Sequence, residues 1–252
     1  MFDLTGRRAL VTGSSRGIGR DIAIGLASQG ADVCIHYAGA AEDAETVAAK
    51  IKATGRHSCI VQGDLTNIDA PRAIVTDAAY GLGGSIDLLV VNAAIQIPQP
   101  LEEIDAETAR RQFDANVLGT LALIQTVVPD MQREGFGRII HIGSVQQWRP
   151  HPNMLVYAGL KSGIENMMRN LAVRLAPQGI TVNSVSPGAI ETERNRVALS
   201  DAPYRANVEG KIPAGRIGSP KDCVGAVVML CSDAADYVTG VDVPVDGGMR
   251  LG

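Results

Sequence analysis

Cysteine, clustered positive charge and long apolar runs are all scarce in this chain. Its 252 residues include four cysteines, Cys34, Cys59, Cys223 and Cys231, with no Cys-x-x-Cys spacing among them. Two fall inside predicted strands, so reduced core thiols are expected rather than a disulfide framework. The four histidines, His36, His57, His141 and His151, are equally scattered, and no metal centre is expected. A net charge of −4 and an isoelectric point near 5.6, with no basic cluster, leave no electrostatic footprint for nucleic acid. Apolar runs stop well short of a bilayer span, so no membrane contact is expected. Met1-Phe2-Asp3-Leu4-Thr5-Gly6 lacks the charged-then-apolar order of a signal peptide, and a cytoplasmic location is expected.

What the chain does have is alternation. With 46% hydrophobic and 20% charged residues it is able to bury one substantial core. Arg8-Ala9-Leu10-Val11-Thr12 reads as a short strand running into Gly13-Ser14-Ser15-Arg16-Gly17-Ile18-Gly19, after which Ile22, Ala23, Leu26 and Ala27 recur at helical spacing. Glycines there let the backbone turn tightly and approach a pyrophosphate, while a helix N-terminus offers unpaired N–H groups. A turn that binds nothing has the same local pattern, and Gly-x-x-x-Gly-x-Gly differs from the Gly-x-Gly-x-x-Gly fingerprint. Further strands are expected over 32–37, 57–62, 86–91, 138–143, 180–185 and 242–245, with helices over 41–53, 70–80, 107–133, 153–176 and 220–231. This β/α order predicts an α/β fold: a Rossmann-type, doubly wound parallel sheet of seven strands in one domain, 1–252. The polar stretch 193–216, broken by Pro203, Gly210 and Pro213, reads as irregular and as a candidate substrate lid.

Chemistry is expected around residues 144–161. Tyr157 and Lys161 are four apart, so on a helix they share a face, and an ammonium there favours tyrosinate over phenol. Ser144 follows the apolar run 138–143, at a strand end where a parallel sheet opens its ligand crevice. Each has a plain structural alternative: a solvated Lys beside a packed Tyr, and a Ser that caps a turn. Asp64, at the end of another strand, either accepts from an adenine amino group or caps its own turn. The small residues Asn92-Ala93-Ala94 suit a close cofactor approach. Asn116 interrupts the apolar pattern of 107–133 and needs either solvent or a job, such as holding a water through its amide.

Together, Thr12-Gly13-x-x-x-Gly17-Ile18-Gly19, Asp64, Asn92-Ala93, Asn116, Ser144, Tyr157-x-x-x-Lys161, Pro187-Gly188 and Thr192 resemble the short-chain dehydrogenase/reductase family, in register over the whole chain. The resemblance implies that Tyr157 exchanges a proton with the substrate oxygen and that Ser144 hydrogen-bonds that oxygen. Lys161 would bind the nicotinamide ribose and lower the Tyr157 pKa, and Asn116 would position a water in the relay. Gly13, Gly17 and Gly19 would wrap the pyrophosphate, Asp64 would meet the adenine, and Ile190 and Thr192 the carboxamide side. Ser15, Ile18, Leu65, Asn92, Ala93, Pro187 and Gly188 would line the rest of the cofactor. A homotetramer is implied, with the helices starting near Glu107 and Asn153 packed across a twofold interface. One departure stands out. Where the family has Asn-Asn-Ala-Gly, this chain has Val91-Asn92-Ala93-Ala94, which adds a methyl near the cofactor path and is expected to remove a tie in the sheet.

The leading reading is hydride transfer between a nicotinamide and a ketone or secondary alcohol. The alternatives are a 3-oxoacyl thioester reductase and, from other classes, a non-catalytic dinucleotide-binding regulator or a purely structural subunit. NADP(H) is expected to be preferred over NAD(H). The second strand ends His36-Tyr37-Ala38-Gly39 with no carboxylate before Glu42, whereas Arg16 is placed to reach a 2′-phosphate, with His36 as a second contact. Gln96, Gln146, Gln147, Trp148, Arg149 and His151 around the site suggest a small polar substrate: a polyol, sugar or sugar acid.

Overall fold

In the computed structural model, which describes residues 2–251, the chain winds around one parallel sheet. Its strands are β1 (Arg8–Val11), β2 (Asp32–Tyr37), β3 (Ser58–Gln62), β4 (Leu88–Val91), β5 (Gly137–Ile142), β6 (Ile180–Pro187) and β7 (Asp242–Val245), in the order β3-β2-β1-β4-β5-β6-β7. The intervening helices are α1 (Gly17–Ser28), α2 (Ala41–Lys52), α3 (Ala70–Leu82), α4 (Ala106–Phe113), α5 (Gly119–Glu134), α6 (Leu155–Leu175), α7 (Arg196–Leu199), α8 (Ala202–Glu209) and α9 (Val224–Cys231). Central strands covered on both faces bury their side chains, which is why β4, Leu88-Leu89-Val90-Val91, is an unbroken apolar run. Alternation sorts those side chains into two cores. Ala9, Val11, Val33 and Ile35 pack with α1, α2 and α9 on one face, and Leu10, Cys34, Leu89 and Ile139 with α3, α5 and α6 on the other. The four cysteines are free thiols, three of them buried.

Two expectations change. The helix expected over 107–133 is α4 and α5 joined by a π-helical turn, Asp114–Leu118, with Asn116 at its centre. Such single π turns frequently mark functional positions. The stretch expected to be irregular, 193–216, contains α7 and α8. Pro203 lies in the first turn of α8, where its missing N–H costs nothing, and Asp201 caps that helix by accepting from the Tyr204 N–H at 3.0 Å. The residues that looked like breakers start and end a helix.

The strand order places the ligand crevice. β1 and β4 are neighbours from which the chain proceeds in opposite directions, and the crevice of such sheets opens beyond the carboxyl ends of the strands at that point. Gly13, Asn92, Ser144 and Thr192 follow β1, β4, β5 and β6, so four connections converge there.

Candidate active site

The turn after β1 is shaped by contacts a side chain would forbid. Gly13 and Gly17 hold φ of +62° and +59°, a region L side chains rarely enter. A Cβ on Gly19 would lie 2.4 Å from Asn92 Nδ2 and 2.6 Å from the Gly13 carbonyl. α1 then begins at Gly17 with no side-chain cap and no acidic residue in its first turn. Its first N–H groups and the positive end of its dipole remain available to an anion, so the chemistry of the turn fits a pyrophosphate. Ser15 is buried in the turn and Arg16 is exposed beside it.

Across from the turn, Tyr157 stands in the first turn of α6 with Lys161 one turn on, and both are buried. Burial is the main influence on each. It pushes the Tyr157 phenol above its ordinary range, against the pull of the Arg194 charge and the Ser144 hydroxyl. It brings the Lys161 ammonium down to about 7, and the Arg194 charge adds to that drop. Lys161 Nζ donates to the Ile142 carbonyl at 2.6 Å and lies 3.2 Å from His141 Nε2, so its orientation is set from the end of β5. Ser144 caps the short 3-10 turn Val145–Gln147 by accepting from the Gln146 N–H at 3.2 Å. A phenol, a hydroxyl and a buried amine thus lie together at the carboxyl end of the sheet, the end at which the glycine turn also opens, an arrangement suited to proton exchange with a bound oxygen.

The family model described as enoyl-(acyl carrier protein) reductase matches residues 13–250. The chain belongs to the short-chain dehydrogenase/reductase family. It is 37% identical over 249 residues to the L-rhamnose 1-dehydrogenase (NAD(P)(+)) of a Sphingomonas strain, covering 98% of each chain. It is likewise 37% identical over 245 residues to a 3-oxoacyl-[acyl-carrier-protein] reductase of Staphylococcus aureus, covering 97% of this chain and 98% of the other. Its fold superposes with a TM-score of 0.93 on a gluconate 5-dehydrogenase from Burkholderia cenocepacia, solved in complex with NADP and tartrate. That protein is 35% identical, over 100% of this chain and 98% of the other.

Within that family frame, several sequence expectations need correction. The Asn116 amide is engaged with the loop after β4. Its Oδ1 accepts from the Ile95 N–H and its Nδ2 donates to the Ile95 carbonyl, both at 2.8 Å, which clamps the loop after β4. His36 has no free nitrogen for a 2′-phosphate: it is buried, Nδ1 accepts from the Gly13 N–H at 3.0 Å and Nε2 bonds the Gly63 carbonyl at 3.0 Å. Asn92 ties the end of β4 to β1: its Nδ2 donates to the Thr12 and Gly13 carbonyls at 2.9 and 3.0 Å. Thr12, part of the sequence motif but with no role assigned there, completes the tie by accepting from the N–H groups of Asn92 and Ala93 at 3.0 Å each.

Other assigned residues fall as follows. Asp64 caps its turn by accepting from the Thr66 N–H at 2.9 Å and stays exposed, while the Leu65 side chain is buried in the core and has only backbone to offer a ligand. Pro187 ends β6, and Gly188 passes so close to Asp246 that a Cβ would lie 2.8 Å from its Cα. Ile190 is buried, and Thr192 accepts support from Asn195, whose Oδ1 takes the Thr192 N–H at 2.9 Å. On the rim, Gln147 turns into the sheet to donate to Ser186 Oγ at 3.0 Å and to Asp242, and Arg149 donates to the Met249 carbonyl. Trp148 lies under the Arg250 guanidinium, 5.9 Å from the ring centroid. Three of the six side chains proposed to flank the substrate are therefore committed to the C-terminal segment and the sheet.

Proposed function

We propose that this short-chain dehydrogenase/reductase catalyses reversible hydride transfer between NADP(H) and a ketone or secondary alcohol on a small polar substrate, a polyol, sugar or sugar acid. The observation that carries the reading is the buried neighbourhood of Tyr157, Lys161 and Ser144, with Lys161 Nζ 5.8 Å from the Tyr157 ring centroid and the Ser144 hydroxyl on the Tyr157 phenol, at the end of the sheet where the glycine turn of α1 also lies. The bound nicotinamide supplies or accepts the hydride. Gly13, Gly17, Ile18 and Gly19, with Ser15, would hold the pyrophosphate, Asp64 and the Leu65 backbone the adenine, and Asn92 and Ala93 the path between. Pro187, Gly188, Ile190 and Thr192 would hold the carboxamide side, and Lys161 the ribose. In reduction, the Tyr157 O–H gives its proton to the carbonyl oxygen, which also accepts from the Ser144 O–H. The Lys161 ammonium offsets the charge left on the phenolate, and in oxidation the same proton returns.

NADP(H) preference is supported at the end of β2, where no carboxylate precedes Glu42 to accept from free ribose hydroxyls. Exposed Arg16 presents the planar fork that suits a phosphate. The relatives named for rhamnose and gluconate support a sugar or sugar-acid substrate, and the relative named for 3-oxoacyl reduction supports the runner-up. A panel of polyols, sugars and sugar acids with NADP+, set beside an acetoacetyl thioester with NADPH and followed by nicotinamide absorbance, separates them. Robust thioester reduction with no activity on any sugar, acid or polyol overturns the choice. The assembly is read as a homotetramer with α5 and α6 across a twofold axis, supported by the exposed α6 residues Leu155 and Val173 and by Phe113 on α4. Light scattering tests it. A cytoplasmic setting belongs to the same reading; among the described residues no helix is long and apolar enough to cross a membrane.

A further inference from the structure

The segment that leaves β6 carries a cation whose surroundings the family frame does not account for. Arg194 Nη1 donates to Gln96 Oε1 at 3.2 Å and Nη2 to the Ala94 carbonyl at 3.1 Å. Gln96 Nε2 in turn reaches the Met154 sulfur at 3.3 Å, immediately before the helix that carries Tyr157. One guanidinium therefore joins three segments that rim the cleft: the loop after β4, the approach to α6 and the exit from β6.

The acids on either side of Arg194 are engaged elsewhere. Glu191 takes both Arg205 Nη groups, at 3.2 and 3.0 Å, and Glu193 takes Arg20 at 3.2 Å on the side of the glycine turn. Among the described residues Arg194 forms no ion pair. Its charge nevertheless reaches the chemistry, since it pulls down both the Tyr157 phenol and the Lys161 ammonium. Arg194 is thus a fixed cation close to a titratable amine, Lys161, and among the described residues neither has a carboxylate partner. A guanidinium has five N–H donors in a plane, and two of the five are used here, which leaves donors for a carboxylate.

We propose that Arg194 binds the carboxylate of the substrate, and that the substrate is a polyhydroxy acid of the aldonate kind rather than a neutral sugar or polyol. This rests on the hydride-transfer reading above and narrows it. In oxidation, one secondary alcohol carbon of the acid gives its hydride to NADP+ and its hydroxyl proton to the Tyr157 phenolate. The carboxylate stays unchanged on Arg194 and fixes which hydroxyl faces the phenol. Gln96, held between Arg194 and Met154, is placed to meet the neighbouring hydroxyls.

The test compares matched pairs on the full-length protein: six-carbon aldonates such as gluconate and the alditols that differ from them by CH2OH in place of COO⁻, such as sorbitol. The parent protein is expected to favour the acids in kcat/KM, and Arg194→Gln is expected to lower that acid-to-alditol ratio by about 10- to 150-fold, the worth of a charged hydrogen bond. The ratio is the readout because any change in the Tyr157 or Lys161 charge state affects both members of a pair. Arg194→Lys, which keeps the charge but not the fork, should recover part of the ratio. Direct binding of NADPH is measured alongside, and its dissociation constant should not follow the ratio. An unchanged ratio in Arg194→Gln, turnover of alditols with no preference for acids, or an equal loss of NADPH affinity overturns the assignment while leaving the hydride-transfer reading in place. Turnover confined to an acetoacetyl thioester removes the sugar reading together with this one.

Discussion

Replacing Lys161 by Met should make the protein less sensitive to acid, because the native fold buries a charge that the unfolded chain exposes to water. Lys161 is 3% exposed, and burial lowers its pKa from the ordinary 10.5 to about 7. At ~1.4 kcal/mol per unit, that drop is worth about 5 kcal/mol of stability. The sign follows from proton counting. Between pH 7 and 10.5 the unfolded chain carries the Lys161 proton and the fold does not, so stability rises with pH across that window. The penalty is present in full below pH 7 and gone above pH 10.5. Lys161→Met removes the penalty, but it also strips a donor from the Ile142 carbonyl and from His141 Nε2, a buried loss of roughly 1–3 kcal/mol per group. That second cost does not depend on pH while His141 stays neutral, which its own burial enforces by holding its pKa well below the ordinary value. The informative quantity is therefore the change in the stability difference between variant and parent, from urea unfolding at a series of pH values. The variant's advantage should shrink by about 5 kcal/mol from the acid to the alkaline end of the window. A difference that stays constant with pH would refute the argument, since it would mean that Lys161 is as well solvated folded as unfolded.

The other predictions concern the proposed reaction and its cofactor. Tyr157→Phe should lower turnover by roughly 10²–10⁴-fold, the range of general acid–base catalysis, with NADPH binding nearly intact by titration; turnover within a few-fold of the parent would end its assignment. Arg16→Ala should weaken NADP(H) by about 10- to 150-fold and leave NAD(H) little changed, and since His36 is occupied within the fold, Arg16 has no help from that side. Equal losses for both cofactors would show that Arg16 does not read the phosphate. Gly19→Ala forces a Cβ to within 2.6 Å of the Gly13 carbonyl. It should cost roughly 1–3 kcal/mol in thermal or urea unfolding and weaken NADPH binding together with it; a variant of parental stability would mean that the turn is looser than its contacts imply.

Much of the site was legible because its chemistry is local. Tyr157 and Lys161 meet through the repeat of one helix, and the glycine turn is read from its own seven residues. The strands were legible for a similar reason: burial on both faces leaves an apolar run with little room for another interpretation. What escaped depends on partners distant in sequence. Asn116 was recognised as out of place in a helix, yet its partner is the Ile95 backbone in another connection, and no pattern within 107–133 announces that clamp. His36 was correctly placed at the end of β2, but strand position does not reveal that its ring turns inward to serve Gly13 and Gly63. Pro203 has the pattern of a breaker, yet proline also begins helices well, and it is the Asp201 cap that makes it a start. Arg194 lies in a polar segment rich in arginine and glutamate, where only geometry shows which cations are paired and which are not.

Exposed Arg194 and buried Lys161 are linked: the Arg194 charge adds to the drop that burial imposes on the Lys161 pKa. An acid bound at Arg194 would cancel much of that repulsion and raise the Lys161 pKa again. Protonation of Lys161 and binding of an acidic substrate then favour one another, since a coupling free energy between two sites acts in both directions. The protonated lysine is the form that best offsets a Tyr157 phenolate and holds the nicotinamide ribose. An acid would therefore complete the charge state that the chemistry needs as it binds, and a neutral polyol of the same length would leave the repulsion in place. If Arg194 binds the substrate carboxylate, acid and polyol would then be told apart at the reacting group as well as at Arg194.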